Sequence, residues 1–390
     1  MRVGARPRYA GYIHGRDALI DSSAHFRAIR DAGPAVWLSR YGVWAVGRYA
    51  DAKSALRAAD QLVSGKGIAA NKLVNSMENE ITLTADGADH VRRRLVLIKP
   101  LGPGALAPLR QRMQQEADAL VSRLKGGGSF DAMAGFAAHL PVSIVAELVG
   151  LKPEGRENML RWAAATFDAI GPMNWRMVRA LPALLDLARY SARLDRSAVM
   201  PGSWADRLFA AADEGTLSRR EAKAMIIDYV APSLDTTILA TGQMVRHLAL
   251  HPHVLEAVRR DEGLAGDVVH ESVRLSSPIR GFTRLAVQDF PVDDVTVPAG
   301  SRVLVLYASA NRDERRYADP DRFDISRNAR DHLGWGHGAH ACAGMHLARL
   351  EMECLLVALA RYLTRIEVDA PEPFFNNVLQ GFKSLPARFH

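Results

Sequence analysis

Residues 334 to 344 read GWGHGAHACAG, which sets Cys342 two positions after His340 and two before Gly344, just ahead of a long amphipathic stretch, MHLARLEMECLLVALARYL. A thiolate is a soft metal ligand and a nucleophile. Gly334, Gly336 and Gly338 let backbone approach a flat ligand closely. The start of the following helix favours negative charge on sulfur, which predicts a lowered thiol pKa. The chemistry offered is axial ligation of a metal by a lone sulfur. Taken alone, a cysteine among small residues is more often an inert hydrophobe, and Cys354, among the leucines of that helix, is read that way.

Other residues extend this site. Glu271 and Arg274 are three apart on a predicted helix and share a face, so they can pair, and Arg322 in the later DPDRFD stretch can join them in a buried charge triad. The segment YVAPSLDTTILATG lies within a helical pattern over about 218 to 249. Pro232 there has no N–H for the carbonyl of Asp228, so a kink is predicted at that point. Without the cysteine loop, Thr236 is as well explained as a helical threonine bonding back to its own turn.

Taken together, these segments resemble the cytochrome P-450 family. The haem signature Phe-Gly-x-Gly-x-His/Arg-x-Cys-x-Gly is matched at Gly336, Gly338, His340, Cys342 and Gly344, with Trp335 in place of the usual Phe. The resemblance implies the cytochrome P-450 fold, mainly α with small β-sheets, and haem b held by Cys342 as proximal thiolate. It assigns His90, Arg94, Arg284 and His340 to the haem propionates, which need charge-assisted partners. It makes Glu271, Arg274 and Arg322 the brace of the cysteine loop. Asp235 and Thr236 become the acid and alcohol pair that serves oxygen activation, with Ser233 where Gly is more usual. Trp335 is expected to stack under the porphyrin and, if its N–H reaches sulfur, to raise the iron potential.

The implied reaction inserts one atom of dioxygen into a small substrate. By analogy the pocket draws on the loop between Val63 and Asp89, the region from Phe167 to Trp175, Ile227, Asp228, Ala231, Pro232, Ile279 and Phe282. The segments FFNNVLQGFKSLPARF, SPIRGFTR and RYGVWAVGRY are similar to family members that hydroxylate or O-demethylate small aromatic compounds. Asp228 in the pocket weighs toward a neutral phenol and against a benzoate anion. No flavin or nicotinamide fingerprint appears, so electrons are expected from a ferredoxin or flavodoxin with its reductase. Arg92, Arg93, Lys99, Arg110, Arg112 and Arg349 form a candidate basic face for it, although each alone reads as ordinary solvated surface. A peroxide-driven peroxygenase and a ligand-sensing haem protein are the rivals, and neither needs Asp235 with Thr236.

The rest of the chain must position these groups. Its 390 residues are 48% apolar and 24% charged, enough for a large core. Helical patterns are predicted over about 91–99, 104–125, 131–149, 154–170, 174–196, 203–214, 218–249, 252–261 and 265–275, with a helix from Asp51 to Ala59 capped by Asp51. Strands are predicted in a hairpin around Tyr41-Gly42 and after Pro278. No repeat or linker divides the chain, which predicts a single domain over 1–390. The net charge of +7 is spread along the chain and does not imply nucleic acid. Two cysteines exclude a disulfide framework, and no apolar run has the length of a signal peptide or membrane span, which predicts a cytoplasmic protein without membrane attachment.

Overall fold

The computed structural model describes residues 6–77, 80–230 and 232–390. Among them are twelve longer helices: α1 (Ser23–Ala32), α2 (Tyr49–Arg57), α3 (Gly87–Ile98), α4 (Leu109–Leu124), α5 (Pro153–Ile170), α6 (Trp175–Arg193), α7 (Trp204–Asp213), α8 (Arg219–Val230), α9 (Asp235–Leu250), α10 (Pro252–Arg260), α11 (Ala265–Ser276) and α12 (Met345–Tyr362). The fold is mainly α with small sheets, as the resemblance implies.

The largest sheet has six short strands, β1 (Arg8–Tyr9), β2 (Val36–Leu38), β3 (Val43–Val46), β4 (Leu62–Val63), β5 (Phe282–Ala286) and β6 (Arg302–Val305), in the order β1-β2-β3-β6-β5-β4. β2 and β3 form the expected hairpin, with Val36 opposite Ala45 and Leu38 opposite Val43. Gly42 takes φ +63° at its turn, which a residue without Cβ adopts freely. β6 runs parallel to β3 and antiparallel to β5, so sequence-distant halves of the chain meet in this sheet. β5 carries Arg284 inward, buried.

Three boundaries differ from expectation. The helix read as starting at Asp51 begins at Tyr49, and Asp51 lies in its first turn instead of capping it. The segment read as one helix over 131–149 is two π-helical stretches, Met133–Ala137 and Pro141–Val145, before an α-helical turn at Ala146–Val149. Pro141 gives no N–H to the preceding turn, and widened turns absorb the break. The stretch over 218–249 is two helices, α8 and α9, parted at Pro232. The core is built from helices throughout the chain, with α12 almost wholly enclosed and Leu355, Leu356 and Leu359 at 0% exposure. No helix among the described residues is long and apolar enough to cross a membrane.

Candidate haem site and oxygen-side residues

The cysteine loop is held by its own backbone and by a brace behind it. Cys342 N–H donates to the carbonyl of Trp335 at 2.8 Å, Gly336 N–H to Leu333 at 2.9 Å and Ala341 N–H to Gly338 at 3.1 Å. Gly338 has φ +71°, and a Cβ there would lie 2.4 Å from the carbonyl oxygen of Leu56. Leu333 N–H, where the loop begins, donates to Asn311 Oδ1 at 2.7 Å. Arg274 in turn donates to the Asn311 carbonyl at 2.7 Å and to Glu271 through Nε and Nη2 at 2.7 and 2.8 Å. Glu271 and Arg274 are 1% and 0% exposed, so this ion pair survives burial because almost every donor is used.

The third member of the brace is Arg327, not Arg322. Arg327 Nε lies 3.3 Å from Glu271 Oε1, whereas the exposed Arg322 contributes only its carbonyl, which accepts from Arg274 and Arg327 at 3.3 Å each. The 3-10 turn Ile325–Arg327 swings the later arginine back toward α11. Spacing alone ranked the nearer arginine first. Asn311 was missed as well, since nothing in its sequence surroundings distinguishes it from a loop asparagine.

Cys342 Sγ sits in dense surroundings that push its pKa up from 9.0, burial being the largest cause; backbone N–H groups of Gly344 and Met345 and the charge of Arg94 oppose it. The expected lowering by the helix start is therefore outweighed. The residue is nonetheless exposed. The Trp335 indole makes edge and tilted contacts with His270 and His332, at 5.1 and 4.8 Å between centroids. The donors on sulfur are backbone groups, not the indole N–H.

A set of basic groups gathers beside this sulfur. His90 and His340 lie 4.2 Å apart between ring centroids. Arg94 donates to the carbonyl of Ala341 at 2.6 Å, and the buried Arg284 donates to Thr283 at 2.9 Å. His90 Nε2 is buried with no partner. Burial first, then the charges of His340 and Arg94, lower His90 to about 4. The nearby acid, Asp86, accepts from Ser64 N–H and Gly65 N–H and lies 3.8 Å from His340 Nε2; it was not anticipated. An unpartnered imidazole nitrogen on His90 and two arginines that donate to main-chain carbonyls, beside one sulfur, match a macrocycle carrying a metal and two carboxylates. Among the described residues no three His, Cys, Asp or Glu side chains cluster to hold a bare ion. The residues present fit haem.

The break between α8 and α9 forms the second part of the site. Pro232 interrupts the ladder, leaving carbonyls at the end of α8 without helical donors. Ser233 Oγ donates to the Tyr229 carbonyl, and Thr236 Oγ1 donates to the Pro232 carbonyl at 2.7 Å. With its proton so committed, Thr236 presents lone pairs as an acceptor. Asp235 is enclosed, its Oδ2 unpartnered, and burial raises its carboxyl to about 7.

Among the predicted pocket residues, Ile227 and Ile279 are half-buried, Phe282 is buried edge-on against Tyr307, and Pro232 is exposed at the break. Ala231 lies outside the described residues. Phe167 is buried, but Trp175 is 70% exposed at the start of α6. Asp228 accepts from Thr82 N–H at 2.7 Å, and burial raises it to about 6. That carboxyl ties α8 to the 3-10 turn Thr82–Thr84, so the inference against a benzoate anion drawn from it no longer holds.

The fold, the braced cysteine and the interrupted helix define a haem-thiolate oxygenase. The family profile for cytochrome P-450 matches residues 191–387. The chain is 35% identical over 376 residues to cytochrome CYP199A2 of Rhodopseudomonas palustris, covering 95% of this chain and 91% of that one. It is 31% identical to erythromycin C-12 hydroxylase of Saccharopolyspora erythraea, over 90% of each chain. Among solved structures it is similar to cytochrome CYP109Q5 from Chondromyces apiculatus, with a TM-score of 0.80, 27% identity and 98% of both chains covered. The chain belongs to the cytochrome P-450 family and is a haem-thiolate monooxygenase.

Proposed function

We propose that this protein hydroxylates or oxidatively O-demethylates a small aromatic substrate, using haem b and single electrons from a ferredoxin-type donor. The observation that carries the monooxygenase reading down to residues is Asp235: a buried carboxyl at about 7 with a free oxygen, adjoining a threonine whose hydroxyl is oriented as an acceptor. Bound haem would supply the redox chemistry and the activation of dioxygen. Cys342 would ligate its iron, a bond that removes the thiol proton outright. His90, Arg94, Arg284 and His340 would hold its carboxylates.

The chain's own work is protonic and positional. Asp235 holds a proton at Oδ2 near neutral pH and can release it toward the break. Thr236 Oγ1 accepts a hydrogen bond there while its own proton stays on the Pro232 carbonyl. A peroxide-driven or ligand-sensing protein has no use for this pair, so it favours turnover with delivered protons. Apolar Ile279, Phe282 and Ile227 suit an aromatic ring, and with Asp228 engaged by Thr82 both phenols and benzoates remain admissible. Erythromycin C-12 hydroxylase, similar over most of its length, is named for an oxygen insertion of this kind.

Spectral titration of the haem protein with methoxyphenols, methoxybenzoates, terpenes and fatty acids tests the substrate class. Small aromatics should shift the Soret band at the lowest concentrations. No response to any aromatic would refute this class.

A further inference from the structure

Arg280, on the segment just ahead of β5, is 5% exposed, and its Nε is buried without a partner. Its other nitrogens donate to main-chain oxygens, Nη1 to Ala18 at 3.3 Å and Nη2 to Leu19 at 3.0 Å. The charges that act on it are Arg176, which opposes it, and Tyr41; no carboxylate among the described residues pairs with it. Burial pulls its pKa down to about 10. A guanidinium taken from water without a counter-charge is strongly disfavoured.

The side chain lines a cavity of about 30 Å³ together with His14, Gly171, Thr283 and Asn377. That volume exceeds the roughly 10–15 Å³ that one water requires. The other polar groups around it are committed. Thr283 Oγ1 donates to the Ala69 carbonyl at 2.8 Å, and Asn377 Nδ2 to the Asp168 carbonyl at 2.8 Å. His14 Nδ1 lies 2.8 Å from the Tyr41 hydroxyl, and burial with the charge of Arg280 lowers it to about 3, so it stays neutral. The cavity is therefore walled by a buried positive charge and has no acid of its own.

We propose that this cavity is a binding site for a small monovalent anion, which pairs with the Arg280 guanidinium and supplies its missing counter-charge. The ligand is halide-sized or a carboxylate group. It sits where the N-terminal segment at His14, the end of α5 at Ile170, the approach to β5 and the C-terminal loop at Asn377 converge, so occupancy ties four sequence-distant segments together.

Crystals of the haem-loaded protein soaked in sodium bromide should show an anomalous peak in this cavity, within hydrogen-bonding reach of the Arg280 guanidinium. In solution bromide should raise the unfolding midpoint by a few degrees, saturably and against its usual weakening of apolar burial. Arg280→Gln should lose that rise. Benzoate carboxylate density replacing bromide at the Arg280 guanidinium would identify the substrate as the anion's source, whereas bromide retained beside benzoate would identify a free ion. Neither ligand at Arg280, or an unchanged salt response in Arg280→Gln, overturns the proposal. If the variant does not fold, the wild-type bromide map decides alone. These outcomes are independent of whether aromatics bind at the haem.

Discussion

Asp235 and Trp335 give the sharpest residue-level expectations. Burial raises the Asp235 carboxyl from 3.8 to about 7, so its proton is held below that pH and lost above it. If the protonated form serves turnover, product formation falls as pH rises through about 7. Asp235→Asn should flatten that limb and slow product formation by on the order of 10²-fold. The same shift has a stability sign. A raised carboxyl pKa disfavours the folded state increasingly as pH climbs from the unfolded value toward 7, so Asp235→Asn should stabilise more at pH 8 than at pH 4. Thr236→Ala should leave electron consumption running while product per electron drops, read as product formed against NADH oxidised. For Trp335 the condition attached to an effect on the potential is not met, since the sulfur's donors are the N–H groups of Gly344 and Met345. Trp335→Phe should therefore shift the reduction potential by less than about 59 mV, the one-electron equivalent of a tenfold change. A larger shift would restore an indole contribution.

Among the elements, the brace between α11 and the cysteine loop separates Arg327 from Arg322 experimentally. Removing one partner of a buried pair strands the other charge, so Glu271→Gln or Arg274→Ala should cost about 3–5 kcal/mol in urea unfolding and weaken haem retention. Arg327→Ala should destabilise clearly, whereas Arg322→Ala, whose side chain is exposed, should stay within about 0.5 kcal/mol. Equal effects from the two arginines would contradict the assignment. The sequence made the α11 pair legible because helical spacing fixes which side chains meet. It left the third arginine open because a loop has no period, and Arg322 and Arg327 differ only in how the 3-10 turn is wound. For the same reason Asn311 and Asp86 went unseen while Cys342, His340 and the glycines around them were plain. The proline in YVAPSLDTT signalled an interruption, but whether it bends a helix or parts it depends on Ser233 and Thr236 capturing the freed carbonyls. The π-helical stretches after Met133 were invisible to a pattern read at 3.6 residues per turn.

For the molecule as a unit, partner docking and haem binding are the properties at stake. Of the six cations expected to form a basic face, Arg92 and Arg93 are taken by Glu221 at 2.6 and 2.8 Å, Arg110 and Arg349 by Glu353 at 2.8 and 3.1 Å, and Arg112 by Glu147 at 2.8 Å. The face is thus partly neutralised, and the rate of reduction by a ferredoxin should fall only modestly as salt rises past about 0.1 M, where the screening length is about 10 Å. A rate indifferent to salt would remove electrostatic steering. All of these expectations presuppose sulfur from Cys342 on haem iron. The absorption spectrum of the dithionite-reduced protein under carbon monoxide reports that bond: the wild type should show a strongly red-shifted Soret band, and Cys342→Ala should lose it. An unshifted band in the wild type, or a red-shifted band that persists in Cys342→Ala, would contradict thiolate ligation by this residue.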